Sequence, residues 1–156
     1  MRTLKKETQM SGELPRALGG IPKNLSNARR GYGRNLLIDE GTWAYCGTDL
    51  TNCYESWLRM TVDHIVPLGV CEDENIPKEF RWDRANLILA RAACNGFANR
   101  YRPDFEISRP ITLESFFDFR DKIFAKRKER IAEKHKDERL FFESNVRPHL
   151  SRNASK

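Results

Sequence analysis

Apolar residues recur at two different spacings along the chain, and the spacing predicts the secondary structure. Residues 57–66 mix apolar and polar positions over a short run that ends at Pro67, which predicts a strand. Residues 86–90 form a second short apolar run and predict a second strand. A helix is predicted over residues 92–101, broken by Pro103, whereas the polar residues 70–84 predict a loop with one helical turn.

Residues 111–145 carry the clearest helical signal. Thr112 follows a proline and suits the N-cap position of a helix. Five apolar residues recur at helical spacing in this segment: Leu113, Phe116, Phe117, Phe124 and Ile131. A helix of that length would exceed the usual mean, so one break is expected within it. Two short strands followed by helices predict an α+β fold.

The leading residues 1–34 lack this periodicity and contain glycine and proline at short intervals. They carry eight Lys or Arg and two Glu, which equals the +6 formal charge of the whole chain of 156 residues. A basic arm on a neutral body suits binding to a polyanion, and a solubilising terminus explains it equally well. The predicted division is therefore a basic arm over 1–34, a core over 35–105 and a helical extension over 106–156.

No apolar run is long enough for a membrane helix, and the N-terminus does not resemble a signal peptide. We therefore expect a cytoplasmic protein with reduced cysteines and no membrane partner. Its oligomeric state is left open.

Candidate chemistry centres on Asp63 and His64, which are adjacent in the first predicted strand. An imidazole accepts a proton near neutral pH, and a carboxylate binds hard cations such as Mg²⁺ or Mn²⁺. Asn95 and Asn99 are four residues apart in the predicted helix, so their amides share one face. These groups could hold one divalent ion and leave most of its coordination shell to water and phosphate.

The order Asp63-His64, then Asn86-Leu87, then Cys94-Asn95 resembles the HNH endonucleases, the ββα-metal nuclease superfamily, over about residues 45–101. Asn86 and Asn95 are nine residues apart, as the resemblance requires. The resemblance implies that His64 activates the attacking water and that Asn86 braces the loop carrying it. It also implies that Asp63, Asn95 and a further residue, here Asn99, hold a single Mg²⁺ or Mn²⁺. The implied activity is hydrolysis of DNA to 5′-phosphate and 3′-hydroxyl ends, with RNA not excluded.

Each of these residues also has an ordinary structural interpretation. His64 alone would more often be a hydrogen-bonded core histidine, and Asp63 a turn or capping residue. Asn95 could cap the start of the helix, and Asn99 could be solvated. Neighbouring strand residues point to opposite faces, so Asp63 and His64 converge only if the strand ends or bulges there, and Pro67 is compatible with such an ending.

The cysteines depart from the family pattern. Many HNH proteins carry two Cys-x-x-Cys pairs that bind a structural zinc, but here only Cys46 and Cys94 match, and Trp43 and Arg91 stand at the first positions. Two ligands cannot complete a closed zinc site, so zinc is predicted to be absent, with Trp43 packing in its place. The remaining cysteines stand at irregular spacings: Cys53 and Cys71.

Six arginines are candidates for contact with nucleic acid, although any of them could instead form a surface salt bridge. They are Arg29, Arg30, Arg34, Arg91, Arg100 and Arg102. Two further functions stay open. One is a nucleic-acid-binding module that keeps the scaffold without catalysis. The other is an assembly factor that uses the apolar cluster at residues 140–142.

Overall fold

The computed structural model describes residues 14–22, 30, 45–50 and 53–153. Within these ranges the chain forms two strands and six α-helices, with one 3₁₀ turn and one π-helical turn. The strands are β1 (Met60–His64) and β2 (Leu87–Arg91). The helices are α1 (Tyr54–Leu58), α2 (Leu68–Asp73), α3 (Lys78–Arg81), α4 (Ala92–Ala98), α5 (Leu113–Phe141) and α6 (Arg147–Asn153). This mixture confirms the α+β class.

The two strands pair antiparallel, with Met60 opposite Arg91 and His64 opposite Leu87. Helix α4 follows β2 directly, so the predicted pair of strands followed by a helix is present. The first strand is shorter than predicted, because Trp57 belongs to helix α1 and packs against the buried cluster around Met60. A short apolar run does not by itself distinguish a strand from a buried helical turn.

The segment between the strands is more helical than predicted. It contains α2, α3 and a 3₁₀ turn over Arg84–Asn86 instead of a loop with one helical turn. Pro67 and Pro77 stand directly before α2 and α3, where a missing N–H costs nothing because the first turn has no internal partner for it. Pro67, which was predicted to end the strand, and Pro77, which lies in the predicted loop, therefore both mark helix starts.

Helix α5 begins where predicted. The Thr112 hydroxyl accepts a hydrogen bond from the Ser115 N–H at 3.2 Å, and the Ser115 hydroxyl accepts from the Thr112 N–H at 2.9 Å. This reciprocal cap satisfies two otherwise unpaired donors. The helix then runs 29 residues without a break, and the irregularity follows it as a π-helical turn over Phe142–Val146.

The hydrophobic core extends across the predicted boundary at residues 105 and 106. One cluster joins Val66 and Val70 of the inter-strand region to Phe116 and Phe119 of α5. A second cluster joins Tyr45, Ile65 just after β1, strand β2 and helix α4 to Ile131 of α5. The C-terminal extension therefore shares its core with the strand pair, at least up to Ile131.

The apolar residues near the end of α5 do not contribute to that core. Leu140, Phe141 and Phe142 are 67%, 59% and 40% exposed. Among the described residues, no helix is both long and apolar enough to cross a lipid bilayer.

Part of the basic arm lies along the body. Residues 14–22 form neither helix nor strand. Arg16 pairs with Asp118 at 2.7 Å and with Asp121 at 3.0 Å on α5, and the Gly20 N–H donates to Asp83 at 2.7 Å. Arg16 is thus engaged with the protein itself. Most of the arm lies outside the described residues.

Candidate catalytic and metal-binding sites

Asn86 holds the turn that follows His64. It is fully buried, and its side-chain Oδ1 accepts from the Val66 N–H at 2.9 Å while its Nδ2 donates to the Val66 carbonyl at 3.3 Å. The same Nδ2 donates to the Arg81 carbonyl at 3.1 Å, and the Asn86 carbonyl accepts from the Ile65 N–H at 2.8 Å. The carboxamide therefore satisfies backbone groups at Val66, just after β1, and at Arg81, the last residue of α3. This is the position of the brace that the resemblance implies.

His64 is the last residue of β1 and is half-buried against Trp82. The two rings meet edge to face with centroids 5.1 Å apart. The buried Nε2 has no hydrogen-bond partner among the described residues. Burial, assisted by the nearby Arg127 cation, lowers the pKa of His64 to about 4. The imidazole is therefore neutral at physiological pH and keeps one ring nitrogen without a partner, unlike an ordinary hydrogen-bonded core histidine.

Asp63 takes part in a buried ion pair. Its Oδ2 accepts from the Arg127 guanidinium at 2.8 Å and from the Tyr45 hydroxyl at 2.9 Å. Arg127 is fully buried and also donates to the carbonyls of His64 at 2.5 Å and Ile65 at 2.8 Å. Asp63 is thus neither a turn residue nor a helix cap. It anchors the long helix α5 to the end of β1.

Asp63 and His64 lie on opposite faces of the strand pair. Asp63 shares its face with its partner Ile88 and turns toward α5, whereas His64 shares the other face with Leu87 and meets Trp82. The strand continues to His64, so it does not end or bulge between these two residues. The sequence predicted that the imidazole and the carboxylate would act at one ion. The described arrangement does not bring them together.

The two candidate amide ligands lie on α4. Asn95 is the fourth residue of this helix and half-buried, so it is not the N-cap, a position held by Arg91. Asn99 is the exposed C-cap residue. No contact of either amide with Asp63 is present among the described hydrogen bonds.

The candidate phosphate-binding arginines differ in their surroundings. Arg102 pairs with Asp73 at 3.2 Å on the surface, which is the structural alternative expected for such a residue. Arg30 and Arg100 are exposed, and Arg91 is half-buried at the end of β2. The two remaining arm residues, Arg29 and Arg34, lie outside the described residues. So does Trp43, which was predicted to pack in place of zinc.

The matched cysteines have a third partner that the sequence analysis missed. The Sγ atoms of Cys46 and Cys94 and a ring nitrogen of His135 all lie within 4.8 Å of one another. Cys94 Sγ is 3.1 Å from His135 Nε2. The sequence indicated two possible zinc ligands, whereas three candidate donors lie together in the structure. The other two cysteines lie elsewhere, Cys53 exposed at the start of α1 and Cys71 buried in α2.

Helical spacing could have indicated both Arg127, the partner of Asp63, and His135, the partner of Cys94. Phe124, Arg127, Ile131 and His135 follow one another at intervals of three, four and four residues, so all four lie on one face of α5. A charged residue and an imidazole on an otherwise apolar helix face require polar partners on the surface against which the helix packs.

No protein-family model, no curated protein and no solved structure matches this chain. The resemblance to HNH endonucleases therefore depends on the ordered residues and on the strand, strand and helix that carry them.

Proposed function

We propose that this chain is a divalent-metal-dependent DNA endonuclease of the HNH type, with His64 as the general base. The observation that carries the proposal is the double hydrogen bond between the buried Asn86 amide and the Val66 backbone. It fixes the turn directly after His64, at the junction of a strand pair that leads into a helix. A buried carboxamide whose oxygen and nitrogen are both hydrogen-bonded stabilises one backbone geometry, so the turn after His64 is held in place.

The protonation state of His64 agrees with this role in one respect. Because burial keeps the imidazole neutral, it can take a proton from water at neutral pH without first losing one. Asn86 then keeps the backbone at Val66 in place, and Trp82 limits the orientations of the ring.

The metal requirement fits the residue types but not their arrangement. Asp63, Asn95 and Asn99 offer the oxygen donors that Mg²⁺ or Mn²⁺ prefers. However, Asp63 already accepts from the Arg127 guanidinium, and a second cation would compete for the same carboxylate oxygen. The described arrangement therefore disfavours an ion at Asp63, and we derive no catalytic step through it.

The same ion pair favours a second candidate, a nucleic-acid-binding module without catalysis. A carboxylate neutralised by a buried arginine stabilises the scaffold without any metal. A base with a pKa of about 4 is also weaker than one tuned to neutral pH. In this alternative the strand pair and helix present a folded surface, and the basic arm supplies salt-dependent affinity for DNA.

Plasmid nicking distinguishes the two candidates. Wild type, His64→Ala and the matched exposed control His149→Ala are incubated with supercoiled plasmid and Mg²⁺ or Mn²⁺, with chelator controls. The nuclease proposal expects metal-dependent nicking that His64→Ala reduces by roughly 10²–10⁴-fold and His149→Ala leaves unchanged. A parallel RNA substrate tests the choice of nucleic acid.

Nicking by His64→Ala at the wild-type rate would refute the role of His64. Absence of cleavage with either ion, combined with DNA binding that survives chelation and weakens with salt, would replace the nuclease with the binding module.

A further inference from the structure

Three sulfur and nitrogen donors converge where the knuckle at Tyr45–Gly47, helix α4 and helix α5 meet. Cys46 comes from the knuckle, Cys94 from α4 and His135 from α5, and their donor atoms lie within 4.8 Å of one another. These segments are distant in sequence, so their convergence is a product of the fold. We propose that Cys46, Cys94 and His135 bind one zinc ion.

The spacing of the donors agrees with a tetrahedral zinc. Zinc binds sulfur at about 2.3 Å and nitrogen at about 2.0–2.1 Å, which places neighbouring ligand atoms about 3.5–3.8 Å apart. The 4.8 Å limit contains this range, and the 3.1 Å from Cys94 Sγ to His135 Nε2 needs to lengthen by only a few tenths of an ångström.

The chemistry of the donors selects the metal. Two thiolates and one imidazole suit zinc and do not suit Mg²⁺ or Ca²⁺, which prefer oxygen. Binding releases one proton from each thiol, so the two thiolate charges neutralise the ion. The site is therefore separate from the oxygen donors considered for the nuclease, and the inference does not depend on the proposed function.

Neighbouring residues orient the ligands. Gly47 adopts a φ of +69°, a left-handed conformation that lets the chain turn sharply just after Cys46. The Thr48 hydroxyl lies 3.1 Å from Cys46 Sγ, where it can donate to a metal-bound thiolate. Phe97 packs edge to face on the His135 ring with centroids 5.2 Å apart. These contacts limit the positions of a sulfur ligand and of the imidazole.

The donor set differs from the two Cys-x-x-Cys pairs of the HNH resemblance. Trp43 and Arg91 replace the other two cysteines, and the third ligand comes from the long helix instead. A water molecule would complete the tetrahedron. This proposal is opposed to the sequence-based prediction that zinc is absent. A zinc ion here would join helix α5 at His135 to helix α4 at Cys94.

Cobalt titration tests the site directly. The full chain is reduced, stripped of metal and titrated with Co²⁺, whose visible spectrum reports tetrahedral geometry and whose near-ultraviolet band reports thiolate ligation. We expect one cobalt per chain, a thiolate-to-cobalt band and stoichiometric displacement of cobalt by Zn²⁺.

Two variants and two matched controls locate the ligands. Cys94→Ser and His135→Gln should each weaken zinc binding by more than roughly tenfold, since losing even an outer hydrogen bond costs about 10–100-fold. Cys53→Ser and His149→Gln, which replace an exposed cysteine and an exposed histidine, should bind as tightly as the parent. If Cys94→Ser fails to fold, His135→Gln decides, because its half-buried ring lies beyond the last fully buried residue of α5.

Three results would overturn the proposal. The first is a reduced chain that takes up no cobalt. The second is binding without a thiolate band, or binding that both ligand variants retain at full affinity. The third is recovery of Cys46 and Cys94 as a disulfide in a chain that does not bind metal after reduction.

Discussion

Replacing Arg127 by methionine removes the cation at the junction of α5 and β1 while keeping much of the side chain's apolar length. In the native chain the guanidinium makes three hydrogen bonds, to Asp63 Oδ2 and to the carbonyls of His64 and Ile65, at 2.5–2.8 Å. The variant Arg127→Met leaves all three acceptors buried without this donor, and one of them carries a full negative charge.

The expected cost is large for a single substitution. Removing one partner of a buried ion pair typically destabilises a protein by about 3–5 kcal/mol. A domain of this size usually has about 5–15 kcal/mol of total stability. At about 2–4 °C per kcal/mol, the melting temperature should fall by roughly 6–20 °C. The Arg127 Nε has no hydrogen-bond partner among the described residues, so the native pair is itself incompletely satisfied.

Urea unfolding measures the effect, and a double-mutant cycle assigns it to the pair. Asp63→Asn removes the charge but keeps an acceptor for the Tyr45 hydroxyl. The double variant Asp63→Asn with Arg127→Met should therefore be about 1–3 kcal/mol more stable than the sum of the single effects predicts. Arg130→Met changes an exposed arginine on the same helix and should shift stability by less than about 0.5 kcal/mol.

Equal stabilities of Arg127→Met and Arg130→Met would contradict the expected cost. Additive effects in the cycle would also contradict it, because they would mean that Asp63 and Arg127 do not stabilise each other in the folded chain.

Three further predictions follow from buried polar and thiol groups. Burial lowers the pKa of His64 to about 4, so on acidification from about pH 6.5 to about pH 4 the unfolded chain gains a proton that the folded chain does not. Wild-type stability should therefore fall by up to about 3 kcal/mol over that range. In urea melts at each pH, the variant His64→Gln should lose this part of the decline. Asn86→Ala should cost about 2–4 kcal/mol in the same assay, because the buried Val66 N–H loses its partner and the Val66 carbonyl is left with the weak Cys71 thiol donor at 3.6 Å. A cost under about 1 kcal/mol would contradict the brace. Burial raises the pKa of Cys71 to about 12, so mass spectrometry after alkylation should find exposed Cys53 modified quickly and Cys71 only on unfolding; equal rates would contradict the buried position.

Local signals predicted the scaffold well. The Thr112 cap, the second strand and the helix after it follow from capping chemistry and short-range periodicity, which depend on neighbouring residues. The limits of β1 were harder to predict. Trp57 packs against a buried cluster, and a position that does so is apolar whether it lies in a helix or in a strand. The helices α2 and α3 were missed because proline marks both helix starts and loops.

The candidate site could be predicted only in part, because its contacts are distant in sequence. Asn86 was expected to brace the loop after His64, and the structure shows the hydrogen bonds that such a brace requires. The partners of Asp63 and Cys94 lie 64 and 41 residues away, and nothing local to either residue indicates them. Only the spacing along α5 carried that information.

Helix α5 provides two buried arginines that bind backbone groups at the strand pair and in the segments beside it. Its buried arginines, Arg120 and Arg127, both donate to backbone carbonyls outside the helix: those of Pro15 and Ala85 for Arg120, and those of His64 and Ile65 for Arg127. The helix thereby satisfies carbonyls of the arm, of the end of β1 and of the 3₁₀ turn, and the same contacts fix its own position.

The cation beside Asp63 is therefore part of the fold. A metal ion at that carboxylate would have to displace a guanidinium that also holds the end of β1, and the loss of those carbonyl contacts would oppose metal binding. For this reason the Arg127→Met cycle bears on function as well as stability. If the pair contributes several kcal/mol, a hard metal at Asp63 must overcome that energy, and the nuclease proposal then requires that DNA binding release Arg127.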